Sequence, residues 1–507
     1  HFARSTFLDS VSTLTKERPT MSDIEHPIVL TTQGRVMGKT KAGVQLYCAI
    51  PYAAPPVGEL RFQAPQPVDP WDDIHDGTRF GPAAPQTASG GMTDRVDPVW
   101  NEDCLTLNVC TPMADDSARP VLVWIHGGGY RTGRSSIPWY NGTSFAQRGD
   151  IVTVSINYRL GALGFAELSH LDGNLDTSGV NGLLDQIKAL EWVQDNIRAF
   201  GGDPSRVTIA GESAGSFSVS TLLGSKRAEG LFHRAIAQSG AAHHTMRKTD
   251  AQAISNQLLI EAGVSHVSDL QARGAGDILK DQIRVDRWLE QQSMNLGMSA
   301  FYPSEGNVVI PDTLLGAHQE GQGASIPLMI GTNKDEASLF IMGQVDEAAL
   351  DRQLQGFGAG SELKARYQAM FPDFNLTQLA TELSTDFMFK IPTLRLLEQR
   401  AKHGSEDYVY QFDWESRQGH LKATHALEIP FAFNTLEAAG VREFVGPGDL
   451  PSHVALEMHD RWIAFIKGDA PWAQYSLSDP QRMHFDEQST LQLANEEGRS
   501  AAWSGVR

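Results

Sequence analysis

Apolar and polar positions fall into two regimes along this chain, nearly continuous apolar runs and stretches of helical spacing. VLVWI (121–125) runs straight into Gly127, Gly128 and Gly129, the profile of a buried strand that enters a tight loop. IVTVSINYRL (151–160) is a second β-branched run, closed by a turn rich in glycine at Gly161 and Gly164. Residues 181–198 set Leu183, Leu184, Ile187, Leu190 and Val193 at intervals of one, three or four, which predicts an amphipathic helix. VTIA (207–210) is a short strand, broken by GESAG (211–215), after which SFSVSTLL (216–223) continues with helical character. Strand, helix, strand, helix in this order predicts an α/β fold, a largely parallel sheet with helices on both faces.

Further along, IPLMIG (326–331) and DYVYQFDW (407–414) read as strands, the second alternating aromatic and polar positions. The segments at about 241–320 and 341–405 are mainly helical, with ISNQLLIEAGV, LKARYQAM and PTLRLLEQRA as their clearest stretches. ALEMHDRWIAFIKG (455–468) is another amphipathic helix. Without an internal repeat or linker, residues 21–507 read as one large α/β domain carrying two helical insertions. Residues 1–20 lack the continuous apolar core of a secretory signal and are set aside as an N-terminal extension or vector-derived segment. No stretch approaches 18 uninterrupted apolar residues, so no membrane insertion is expected.

Composition narrows the class. With 41% hydrophobic and 20% charged residues, 47 Gly and 25 Pro, the 507-residue chain is neither collagen-like, a coiled coil nor a disordered acidic tail. Its 42 basic and 61 acidic residues sum to −19, which argues against a nucleic-acid partner. Cys48, Cys104 and Cys110 cannot build a disulfide framework, and their spacing matches no common zinc or redox pattern. Free thiols and the lack of a signal segment lead to the expectation of a cytoplasmic protein, with export without disulfides as the alternative.

Candidate chemistry starts at Gly211-Glu212-Ser213-Ala214-Gly215, a G-x-S-x-G directly after a predicted strand. A serine on a sharp strand-to-helix turn is lifted clear of the sheet, and its neighbours two residues away must be small. The following helix N-terminus then points at developing negative charge. The run His126-Gly127-Gly128-Gly129-Tyr130 supplies the complement, because glycines let backbone N–H groups approach a substrate oxygen. The amides of Gly128, Gly129 and Ala214 are the expected oxyanion donors. It is not a phosphate loop, since the Gly-Lys-Ser/Thr ending is missing. A serine nucleophile also needs a histidine base and an orienting carboxylate, in the chain order serine, acid, histidine. His425 in THALEIPFAFN is the leading base, with His420 as its rival. Asp335 and Glu336, just beyond the strand IPLMIG, are not separated as the acid by these patterns.

Taken together, PYAAPPVGELRF (51–62), EDCLTLNV (102–109), HGGGY (126–130), NYRLGALGF (157–165), DQIKALEWVQDNIRAFGGDPSRVTIAGESAG (185–215), AIAQSG (235–240), GTNKDEASLF (331–340) and HALEIPFAF (425–433) carry a resemblance. The chain resembles the type B carboxylesterases, the group within the α/β-hydrolase fold that also contains the cholinesterases. The resemblance covers nearly all of residues 26–490 and implies Ser213 as nucleophile, Glu336 as acid and His425 as base. It puts the oxyanion donors on Gly128, Gly129 and Ala214, and it implies that Glu212 and Ser239 form a buried supporting pair. It implies hydrolysis of small to medium carboxylic esters through an acyl-enzyme, with no metal or cofactor, by a monomer or small homo-oligomer. A carbamate or aryl-amide hydrolase using the same residues is the first alternative, and a non-catalytic cholinesterase-like binding protein the second. Several departures stand out. Gly81-Pro82-Ala83-Ala84 lacks the cysteine that pairs in many relatives with the one at Cys104, and Ala337 and Ala426 replace glycines after the acid and the histidine. Ser304 and Glu305 differ from the hydrophobic residue and aspartate common there, which implies a different substrate wall.

Overall fold

The run RPVLVWI forms a strand buried at every position, and its alternate residues enter two separate cores. Val121, Val123 and Ile125 belong to one apolar cluster, Leu122 and Trp124 to another. That is the geometry of an interior strand sandwiched between helical layers, where both faces must be apolar. The same division explains the aromatic alternation of DYVYQFDW: Tyr408, Tyr410 and Phe412 face one core while Val409 faces the other. The computed structural model describes residues 26–87, 96–291, 299–494 and 496–506. The expected N-terminal segment, residues 1–20, lies outside them.

Among the described residues the main sheet has eleven strands. In chain order they are β1 (Lys39–Lys41), β2 (Val44–Pro51), β3 (Thr106–Thr111), β4 (Arg119–Ile125), β5 (Val152–Ile156), β6 (Gly202–Glu212), β7 (Arg234–Gln238), β8 (Leu328–Asn333), β9 (Asp407–Phe412), β10 (Gln481–Phe485) and β11 (Thr490–Leu493). Across the sheet they lie in the order β1-β2-β3-β5-β4-β6-β7-β8-β9-β10-β11. Pairing is parallel from β5 through β10 and antiparallel at both margins. This is the α/β-hydrolase architecture, a mostly parallel sheet flanked by helices. The antiparallel margins were not visible in the apolar pattern, because β1 is only partly buried and β11 is exposed throughout. A separate three-stranded sheet is built from Ile28–Leu30, Arg35–Met37 and Ile74–Asp76.

The helix Asn181–Asn196 buries the five predicted apolar positions, but it also buries Asp185. That carboxylate takes Arg159 in a fork, Nη2 to Oδ1 at 2.7 Å and Nε to Oδ2 at 2.8 Å, and accepts the Arg159 amide at 3.0 Å. A charge is tolerated there because its lone pairs are filled. Cys48, Cys104 and Cys110 are free and buried.

The two helical segments are anchored differently. Lys248–Ala262 and Ala275–Glu290 contribute Ile254, Leu258, Ile278 and Val285 to the core of the sheet. Helices between Glu347 and Ala401 instead build a core of their own from Leu350, Leu354, Tyr367, Leu379 and Leu383. Trp503, beside the C-terminal helix Glu497–Ala502, closes that core. No helix of the described residues is long and apolar enough to cross a membrane.

Candidate active site

Ser213 stands between the end of β6 and the helix Ala214–Leu223, with φ 56° and ψ −122°. A non-glycine residue pays roughly 1–3 kcal/mol for such a conformation and keeps it only where the surroundings over-determine it. Here the surroundings are backbone. A Cβ on Gly215 would overlap the Ile125 carbonyl oxygen, and one on Gly211 would come within 2.5 Å of the Gly215 carbonyl. The Ser213 amide donates to Gln238 O at 3.0 Å, and its carbonyl accepts the Phe217 amide at 2.8 Å.

Beside it the loop after β4 turns through Gly128 at φ 109°, Gly129 at φ 61° and Tyr130 at φ 57°. Arg131 and Thr132 amides both donate to Gly128 O at 3.0 Å, which folds the loop into a tight cup. Among the described residues, no acceptor within the fold takes the N–H groups of Gly128, Gly129 or Ala214. His126 in the same motif is a packing residue. It stacks on Tyr158 with ring centroids 4.5 Å apart, and burial pushes its pKa down to about 4 despite its bond to Gly127 O.

Glu336 follows β8 in a short 3-10 turn and is fully buried. The Asn333 amide donates to its Oε1 at 2.7 Å, and His425 Nδ1 donates to its Oε2 at 2.6 Å. Asp335, the competing carboxylate, makes no such contact; its amide donates to Ala423 O. His420 lies in an exposed turn, whereas His425 is buried at the site.

The other nitrogen, His425 Nε2, lies 3.1 Å from Glu212 Oε1. The angle makes no hydrogen bond, and neither atom has a hydrogen-bond partner among the described residues. The structure therefore joins Glu336 to His425 but does not bond the Ser213 hydroxyl to Nε2. Glu212 and Ser239 are both buried, yet the Ser239 hydroxyl has no partner among the described residues, so they are not bonded as a pair. The Ser304 hydroxyl donates to Glu167 Oε2 at 3.3 Å, and Glu305 accepts Thr245 Oγ1 at 2.6 Å.

Sequence reasoning missed Glu428, a third buried carboxylate. Its Oε2 accepts Asn333 Nδ2 at 2.7 Å, and its Oε1 accepts Gln238 Nε2 at 3.2 Å. Asn333 therefore ties Glu336 and Glu428 together. The available signal was a lone acid inside the apolar run ALEIPFAF, three residues beyond His425. Burial raises Glu212 well above the ordinary range and Glu428 to about 7, and the neighbouring carboxylates add to both. Burial opposes the His425 imidazolium, but Glu212, Glu336 and Glu428 outweigh it and lift its pKa to about 9. A proton resting on Glu212 or Glu428 relieves that field and favours the neutral imidazole.

The Carboxylesterase family model matches residues 25–503. The chain belongs to that family. It is similar to the para-nitrobenzyl esterase of Bacillus subtilis (strain 168), 35% identical over 482 residues, spanning 92% of this chain and 96% of that one. It is also similar to the phenmedipham hydrolase of Pseudarthrobacter oxydans, 34% identical over 90% of this chain and 94% of that one. The crystal structure of a carboxylesterase from Geobacillus stearothermophilus at pH 6.2 superposes with a TM-score of 0.85 at 34% identity, covering 94% and 99% of the two chains. This carboxylesterase is a serine-type hydrolase of carboxylic esters. Among the described residues, no group of three or more His, Cys, Asp or Glu side chains could hold a metal ion.

Proposed function

We propose that Ser213, Glu336 and His425 are the catalytic triad, acting on small to medium carboxylic esters through an acyl-enzyme. The observation that carries this reading is the 2.6 Å bond from His425 Nδ1 to Glu336, which leaves Nε2 without a partner at the site of the strained serine. Glu336 fixes the tautomer in which Nε2 is the basic nitrogen. Nε2 takes the Ser213 proton as the hydroxyl attacks the ester carbonyl, forming a tetrahedral oxyanion. The amides of Gly128, Gly129 and Ala214 hold that oxyanion, each donor contributing about 2.7–4 kcal/mol on the mutational scale for such holes. The protonated His425 passes its proton to the departing alcohol. Water then attacks the acyl-enzyme with the same nitrogen as base, releasing the acid and restoring Ser213. Glu212 and Glu428 act through the charge they place around His425.

The test is Ser213→Ala against p-nitrophenyl acetate and a fluorophosphonate probe. Loss of turnover and of labelling in a folded variant supports the assignment, whereas unchanged hydrolysis refutes it. The likeness to the two hydrolases places p-nitrobenzyl esters and phenmedipham in the first substrate panel.

A further inference from the structure

The helical run Leu376–Thr385 continues into Ile391–Ala401 through a π-helical turn, Asp386–Lys390. Pro392 gives a local reason for the wide turn. In an unbroken α-helix its ring would press on the carbonyl of residue 388, and it has no N–H to offer. Wide turns of this kind sacrifice hydrogen-bond geometry and recur where a helix must aim a side chain at a site.

This turn is fastened on both sides of the acid loop. Lys390 Nζ donates to Lys334 O at 3.1 Å, and the Ala337 amide donates to Thr385 Oγ1 at 3.1 Å, so Glu336 lies between two tethers. Behind it, buried Asp386 accepts Arg499 at 2.7 Å and the Tyr367 hydroxyl, which locks the turn to the C-terminal helix. Phe389 points the other way. It is fully buried and belongs to the core of the sheet rather than to that of its own helical unit. Its ring centroid lies 4.7 Å from that of His425 and 6.5 Å from that of Phe217, one turn along the helix from Ser213.

We propose that the Asp386–Lys390 turn positions the Glu336–His425 pair, with Phe389 as the nearer of two rings that restrain the imidazole, Phe340 at 5.4 Å being the other, and Thr385 and Lys390 as its anchors. The proposal rests on the triad assignment above. His425 must keep Nδ1 on Glu336 while Nε2 serves Ser213, and an apolar ring packed against the imidazole limits tilting without competing for either nitrogen. The extra helical residue aims Phe389 at the histidine, and the tethers keep the acid in register with it.

The experiment compares Phe389→Leu and Thr385→Val with Phe357→Leu. The last removes a ring stacked on Phe387 at 4.2 Å that has no ring contact with His425. Each variant is read by thermal unfolding, by kcat and KM on p-nitrophenyl acetate, and by the low-field proton resonance of His425 Nδ1–H. Phe389→Leu is expected to lower kcat roughly 10- to 100-fold with KM changed less than about twofold, the cost of a sub-ångström misplacement of a catalytic group. Its low-field proton should broaden. Phe357→Leu should lower the melting temperature with kcat and the resonance retained. A folded Phe389→Leu enzyme with wild-type kcat and resonance overturns the proposal. If that variant does not fold, Thr385→Val decides: a lowered kcat with a broadened resonance supports the positioning role, and unchanged values overturn it. Wild-type rates in His425→Ala would instead refute the triad reading itself.

Discussion

Replacing Glu212 by Gln removes one negative charge 3.1 Å from His425 Nε2 and keeps the side chain's size. Two unit charges at that distance attract by about 5 kcal/mol at an effective dielectric of about 20, and by about 1.3 kcal/mol in water. The smaller figure is the better guide, because burial pushes Glu212 itself upward and it carries charge during only part of the titration. It corresponds to about one pH unit. The sign follows from the charges. A carboxylate stabilises the imidazolium, so its loss lowers the His425 pKa from about 9 and frees the base at lower pH. In a profile of kcat/KM on a p-nitrophenyl ester from about pH 5 to 10, the rising limb of Glu212→Gln should lie about one unit to the acid side of wild type. A limb that stays in place or moves to the alkaline side would refute the assignment of that limb to His425 under carboxylate control.

Two substitutions probe backbone instead of charge. Gly128→Ala would drive a methyl group into the Thr132 carbonyl oxygen at a φ of 109°, so the cup must open, and kcat should fall about 10²- to 10³-fold, as for loss of one oxyanion donor. Steady-state kinetics and circular dichroism together separate this from unfolding. Ala426 sits at φ 59° with its methyl buried in the core, so in Ala426→Gly the relief of the left-handed conformation is offset by the entropy of glycine and the lost methyl, and urea unfolding should shift by less than about 1 kcal/mol.

The parallel centre of the fold was legible because its strands are buried on both faces and so stand out as apolar runs. The margins were not. β1 and β2 carry polar and only partly buried positions, and β11 has no buried residue to mark it. At the site, Gly211 and Gly215 announced the serine because only a missing side chain fits against Ile125 and its neighbours. Glu336 and Asp335 could not be told apart by pattern, since the difference lies in which carboxylate reaches a histidine 89 positions away. Asn333 and Glu428 escaped for the same reason: their role is a contact between β8 and the histidine turn, made by residues 95 positions apart. The π turn shows its cause only in part, since Pro392 forbids a regular helix without saying where the relief will fall.

The order of the strands carries one last consequence. Ser213, Ser239 and Glu336 leave the C-terminal ends of β6, β7 and β8, which are neighbours in the sheet, and His425 comes from the connection after β9, the next strand along. Adjacent strands are about 4.8 Å apart, so nucleophile and acid are launched from points about 10 Å apart whatever the loops between them do. The sheet acts as a ruler, and the imidazole is the piece that spans the gap. Chain added between β7 and β8, or between β8 and β9, leaves the spacing of the marks unchanged. Reshaping the pocket by exchanging those connections is therefore an experiment in molecular recognition at constant bond-making geometry, provided the graft at 341–405 brings its own wide turn.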